Sequence, residues 1–296
     1  MRQFLRKSRL TFFGSSGFIV NPADHVSPHE MRIAFNVSKT ISGSANTFEV
    51  SVWNLNADHR NSIGKELDEL QLECGYEPPE GGGNLSVIAK GFIRDVQHRR
   101  EGSDIITTVS SGDGDKAHRK ATISKTYPAG TPVTEVVEGI YERMSEFSVD
   151  RGEWLFPDDI RTTRRPYSMC GGCVRELNNL GRGNGFYWSI QNGVLEVIPS
   201  DGHLPGDVVI TPDSGLVGTP TITDNGVKVS CLLNPAIRPN RVVQIRSDVL
   251  EMNAQDGRYR VSELGFSGDN SRGDFIATVH GESISDDGRV DEGVLK

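Results

Sequence analysis

The sequence predicts a mainly β protein with a smaller α+β part, and three observations predict it. Apolar and polar residues alternate with period two in many short runs. The 33 glycines and 14 prolines of the 296-residue chain supply frequent turns between those runs. A helical period appears only in the middle of the chain, where Val133, Val136, Val137, Ile140 and Met144 recur at the spacing of one helix face.

In order, Arg9 to Phe13 and Gly17 to Val20 read as a short hairpin around Gly14-Ser15-Ser16. Met31 to Ser38 and Thr47 to Trp53 alternate as half-buried strands. Asn54 to Glu66 breaks the alternation and holds a short helical piece at Ala57 to Arg60, after which Leu70, Leu72 and Cys74 point inward. Glu77 to Asn84, with two prolines and three glycines, is a loop tip. Leu85 to Val96 and Ile105 to Ser110 return to strand across Gly102-Ser103-Asp104. This spacing suggests a closed or nearly closed antiparallel barrel, which removes exposed strand edges.

The middle segment changes period. Thr131 is placed to cap a helix with Pro132 in its first position. Gly152 to Pro166 reads as an irregular connection carrying exposed Arg161, Arg164 and Arg165, and Ser168 as the cap of a second helix through about Leu180. Phe186 to Ile190 and Val194 to Ile198 form a hairpin across Asn192-Gly193, a pair suited to a two-residue turn. In the last third, Thr221 to Thr223 and Val227 to Leu233 flank a turn at Asp224-Asn225-Gly226, where Gly226 is expected at positive φ. Val227, Val229, Cys231 and Leu233 share its buried face. Pro235 and Pro239 stop the ladder, and Val243 with Ile245 begins another strand. Tyr259 to Phe266 and Phe275 to His280 make one more pair. Beyond Gly281 the acidic residues 282–296 are expected to form an arm that orders only against a partner. The resulting boundaries are 1–112, 113–199, 200–281 and 282–296.

Composition constrains function independently. Hydrophobic residues at 35% and charged residues at 24% describe a soluble globular chain of roughly two domains, or three small ones. No apolar run approaches the ~20 residues of a membrane span, and Met1 to Lys7 leads into no secretory core, so the chain is expected to be made in the cytoplasm without membrane insertion. Forty acidic against 32 basic residues give a net charge of −8, which disfavours tight nonspecific nucleic-acid binding and suits a wall past which DNA slides.

The sharpest chemical candidate is Cys170-Gly171-Gly172-Cys173. Its C-x-x-C spacing is that of redox and zinc sites, yet no second ligand pair follows and no βαβ pattern surrounds it. The pair is read as buried structural thiols on one helical face with Leu177 and Leu180, with redox or metal chemistry as the alternative. Cys74 and Cys231 complete a set too scattered for a disulfide scaffold. His25 and His29 flank Pro28 and read as loop histidines. Asp113-Gly114-Asp115 lacks the ligand pattern of a calcium loop and reads as a turn at a domain boundary. Gly81-Gly82-Gly83 precedes no phosphate-binding helix, and Asp158-Asp159 lies in a polar loop. No catalytic, cofactor-binding or metal residue is assigned.

The phrases GLVGTP and VKVSCLLNPAIRPN resemble the second barrel of baseplate hub proteins from contractile-tailed phages. Collinear phrases extend the resemblance: RIAFNVSKTISGSANTFEVSVWNL, GFIRDVQHRREGSDIITTVSSGDGDKA, TYPAGTPVTEVVEGI and FYWSIQNGVLEVI. The resemblance implies two antiparallel β-barrel domains of tail-tube-like type flanking a helix-containing insertion domain. It further implies a non-enzymatic homotrimer whose barrels make a pseudo-sixfold ring in the virion baseplate. Such a ring joins the tail tube, or a tube-initiator protein, to the central spike, contacts other baseplate proteins and leaves a channel for DNA. The acidic tail matches poorly. A second likeness competes for the middle: ISKTYPAGTPVTEVVEGIYERM is similar in rhythm to a LysM peptidoglycan-binding module, whose order is strand, two helices, strand. That likeness implies a glycan-binding or cell-wall-hydrolase-associated tail protein.

Overall fold

The period-two runs become strands wherever one face can be buried. A computed structural model describes residues 5–22, 30–77, 82–160, 163–224, 226–247, 250–285 and 288–290. The first third forms β1 (Arg6–Gly14), β2 (Phe18–Val20), β3 (Ile33–Thr40), β4 (Thr47–Trp53), β5 (Leu67–Tyr76), β6 (Ser86–Glu101) and β7 (Asp104–Gly112). Helix α1 (Ala57–Ser62) interrupts them where the sequence loses its alternation, and the Asn56 side chain caps it by accepting from the His59 N–H at 2.7 Å. These strands lie in the order β2-β1-β5-β6-β7-β4-β3. Leu70, Leu72 and Cys74 are fully buried, as their alternation requires.

The middle third folds as α2 (Asp115–Lys120), β8 (Thr122–Tyr127), α3 (Val133–Ser145), β9 (Asp150–Trp154), β10 (Tyr167–Gly172), α4 (Cys173–Asn184), β11 (Phe186–Gln191) and β12 (Val194–Pro199). Helix α3 buries the expected apolar face, but Thr131 does not cap it. Its hydroxyl donates instead to the Pro128 carbonyl at 2.8 Å, and Pro132 takes the cap position with no side-chain bond. The connection after Gly152 is partly strand, because β9 pairs parallel with β12. Ser168 also departs from its expected role: β10 pairs antiparallel with β8, placing Ser168 Oγ 2.9 Å from Thr126 Oγ1. Because β10 precedes α4, the order is not the strand, two helices, strand of a LysM module. The Asn192-Gly193 hairpin forms as expected, with both residues at positive φ.

The last third contributes β13 (Leu204–Ile210), β14 (Leu216–Thr223), β15 (Gly226–Leu232), β16 (Arg241–Ile245), β17 (Arg258–Asp269) and β18 (Phe275–Ser283). Val227, Val229, Cys231 and Leu233 are buried together. Gly226 is not a positive-φ turn residue: it begins β15, paired with Thr223 and Glu282, and a Cβ there would collide with the Gly281 carbonyl. Close backbone approach is therefore what demands glycine. Asn225 lies outside the described residues. The acidic segment is tied to its own chain as far as Val290, whose N–H donates to the Asp201 carbonyl at 2.9 Å and whose side chain packs on Val242 and Ile284. An apolar contact and a free backbone donor thus override the low hydrophobicity of that segment up to this point.

The first and last thirds are joined by β3 and β17, which pair antiparallel from Thr40↔Glu263 to Ala34↔Asp269. This makes one sheet, whose main path runs β14-β15-β18-β17-β3-β4-β7-β6-β5-β1-β2, with β16 and β13 branching from β17. Among the described residues no set of strands closes into a ring of backbone hydrogen bonds. One apolar core runs under both thirds, from Leu10 and Val50 to Phe266 and Val279, while a second fills the middle third around Val136, Ile140, Leu177 and Trp188.

Candidate assembly site

The middle third is fastened to the sheet by buried polar groups. Asp113 follows β7 and is 2% exposed. Its carboxylate accepts from the backbone N–H of Asn192 at 2.5 Å and of Gly193 at 2.7 Å, so the hairpin tip is held by the two donors that its positive-φ turn leaves pointing outward. Lys39, buried on β3, donates to Asn192 Oδ1 at 2.5 Å. Asn46 Nδ2 donates to the Ile190 carbonyl at 2.7 Å, and Gln191 Nε2 to the Thr40 carbonyl at 2.9 Å. Burial pushes the Asp113 carboxyl up to about 6, against the pull of Lys39 and the two N–H donors. Burial likewise lowers Lys39 to about 8, against the pull of Asp113.

A second fastening lies at the other end of the hairpin. Glu196 on β12 accepts from Asn240 Nδ2 at 2.9 Å and from Arg241 Nη1 at 3.1 Å. Arg260 on β17 is fully buried; its Nε donates to Glu282 at 2.9 Å, and its Nη1 to the carbonyls of Ser200 and Gly202 at 2.8 Å each. A buried guanidinium is tolerable only when its donors are met in this way. The sequence places Asp113 at a boundary turn but gives no sign of Lys39, Glu196 or Arg260 as its partners in fastening. Those residues stand in strands whose local sequence names no partner, and only the tertiary fold brings them together.

The C-x-x-C motif is split by the local fold. Cys170 lies on β10 and is exposed, whereas Cys173 opens α4 and is buried. Gly171 at positive φ and Gly172 turn the chain between them, so the two thiols do not share a helical face. Burial raises the Cys173 thiol to about 11, which keeps it protonated. Among the described residues no group of three or more His, Cys, Asp or Glu is arranged to hold a metal. His25, His29, Arg161 and residues 78–81 of the 77–84 loop tip lie outside the described residues, while Arg164 and Arg165 are exposed.

The sheet path ends at β2 and β14, which carry Ile19 at 48% and Val217 at 43% exposure, and Val209 on β13 is 45% exposed. Beyond Arg94 most β6 side chains of the β6–β7 hairpin are exposed, although Val96 still packs on the core.

Residues 15–281 match the family of baseplate hub gp41 proteins. The chain belongs to that family. Its fold agrees with solved tail proteins at identities that speak to fold alone. The 43 kDa tail protein of prophage MuSo2 from Shewanella oneidensis superimposes with a TM-score of 0.62 at 9% identity, covering 94% of this chain and 98% of that one. The tail protein from Neisseria meningitidis MC58 gives 0.61 at 9% identity, covering 95% and 97%. The c3393 protein of E. coli gives 0.62 at 11% identity, covering 89% and 76%; it is described as a component of the type VI secretion system, similar in structure to the T4 bacteriophage tail proteins gp27 and gp5. No curated protein sequence matches the chain. Family and fold together assign this baseplate hub protein to the phage tail.

Proposed function

We propose that the chain is a non-enzymatic ring subunit of the baseplate hub, acting as a homotrimer between the tail tube and the central spike around a channel for DNA. The observation that carries this reading is the β3–β17 ladder over a common core. It sets two strand-rich sets side by side as one unit, the six strands β13 to β18 and the seven strands β1 to β7. We read these as two barrel-type domains, 1–112 and 200–281, flanking the 113–199 insertion. Three copies would offer six similar modules to a sixfold tube while keeping threefold symmetry toward a spike. The net charge of −8 suits a conduit that does not grip phosphate.

The test is reconstitution with the tube and spike proteins of the same phage, followed by electron microscopy of the complex. A threefold ring bound to both partners is the expected result. A stable monomeric complex, or failure to bind either partner, overturns the proposal.

A further inference from the structure

A cavity of about 630 Å³ opens between the sheet and the middle third. In a chain of net charge −8 its wall is unexpectedly basic, carrying Lys39, Lys90, Arg151, Arg238 and Arg241. Three of these are already matched: Lys90 lies 3.4 Å from Glu69, Arg151 2.6 Å from Glu138, and Arg241 3.1 Å from Glu196. Two are not. Lys39 is buried and, among the described residues, donates only to the neutral Asn192 amide; Asp113 and Glu196 favour its charge from nearby, but neither takes up its remaining ammonium donors. Arg238 is exposed and has no hydrogen-bond or ion-pair partner among the described residues. Arg238 sits close enough to disfavour the charge on Lys39, against the favourable pull of Asp113 and Glu196. Like charges held together around a cavity are what an incoming anion relieves.

We propose that this cavity binds the carboxylates of an acidic peptide segment presented by a partner protein. A peptide fits the wall better than a nucleic acid does. Val87 and Val194, both half-buried on that wall, give it an apolar side that can take the aliphatic stems of Glu, whereas a phosphodiester offers little apolar surface in return. Glu153 on the same wall and the buried Asp113 behind Lys39 limit how much negative charge the cavity accepts, which disfavours a long polyanion. The cavity lies between the cores rather than at a strand edge, so the proposal stands apart from the symmetry of any ring.

The experiment titrates an N-acetylated, amidated hexaglutamate peptide into the full chain at low ionic strength, beside the same peptide of glutamine and a short DNA duplex. Saturable binding of hexaglutamate but not hexaglutamine is expected. Arg238→Glu, an exposed change that leaves both cores untouched, is expected to weaken that binding at least about tenfold, and Arg164→Glu, a cation elsewhere on the surface, to leave it unchanged. Lys39→Met is expected to weaken it as well, once circular dichroism shows a folded chain. No saturable hexaglutamate binding, or equal binding by Arg238→Glu, overturns the proposal. Duplex that binds more tightly and loses affinity in Arg238→Glu also overturns it, by assigning the cavity to nucleic acid.

Discussion

The molecule has two joints, and they are built from different materials. Where β3 meets β17, a continuous backbone ladder lies over a common apolar core. Where the middle third meets the sheet, a few buried polar groups converge on one hairpin tip and one guanidinium. The first joint spreads its stabilisation over many weak, non-directional contacts. The second concentrates it in directed bonds whose loss leaves a partner stranded. One merges its two sides into a single core, while the other leaves two cores separate.

The largest effect is expected at the first joint. Phe266 is 1% exposed on β17, and Phe266→Ala should cost about 3–5 kcal/mol. Because one core serves both of these thirds, the first and last thirds should still unfold together on chemical denaturation, with a lowered midpoint. Asp113→Ala should cost less, about 2–4 kcal/mol, by orphaning the N–H groups of Asn192 and Gly193 beside a buried Lys39. It should also uncouple the cores, so that limited proteolysis cuts near residues 113 and 199 before the sheet unfolds. Early cleavage in Phe266→Ala but not in Asp113→Ala would reverse this assignment of roles.

The joints should also answer pH with opposite signs. Asp113 is raised to about 6 in the folded chain, so its contribution is full below the ordinary carboxylate value of about 4 and is lost as pH rises toward 6. The gap between those two values sets a ceiling of about 3 kcal/mol on that loss. Lys39 stays charged across this window. Asp269, which ties β17 to Arg32 at 2.8 Å, behaves oppositely. Burial pushes its carboxyl up, but the Arg32 guanidinium and the N–H groups of Ser271 and Arg272 outweigh that and hold it below its ordinary value. Its contribution is present above that value and lost as pH falls. Unfolding midpoints of Asp113→Asn and Asp269→Asn against the parent, from about pH 3 to about pH 7, separate the two. The first should flatten the fall between about pH 4 and about pH 6, and the second should flatten the loss at the acid end.

What could be read in advance follows the same division. The alternation of Val227 to Leu233, the apolar stripe of α3 and the Asn192-Gly193 turn are local signals, and each appears where its period or turn chemistry demands. Partnerships between distant residues are not local. Gly226 was legible as a required glycine but not for the right reason, because the carbonyl that excludes a side chain belongs to Gly281 on another strand. Gly226→Val should still cost about 2 kcal/mol, through that collision. The fastening by Lys39, Glu196 and Arg260 left no periodic trace, since a charged residue on a buried face reads as a break in the pattern until its partner is known.

The smallest expected effect concerns the middle core itself and tests whether it stands apart from both joints. Cys173 is fully buried at the start of α4, with its N–H donating to the Ala121 carbonyl at 3.0 Å, and Cys170 is exposed three residues earlier on β10. Cys173→Ser places a hydroxyl where a thiol is buried in the middle apolar core and should cost about 1 kcal/mol. Cys170→Ser, an exposed change, should stay within about 0.5 kcal/mol of the parent. The loss in Cys173→Ser should fall on the middle third alone, because that core shares no buried apolar residue with the sheet. Fluorescence of Trp154 and Trp188, both in the middle third, should therefore report a lowered midpoint while Trp53, on β4 with the Arg32 guanidinium over its ring, reports the parent value in a chain stripped of the other two tryptophans. Equal losses for the two serine variants, or stoichiometric metal in the parent that vanishes in the double variant, would mean that the thiols act as a pair and that the split between β10 and α4 misstates their role.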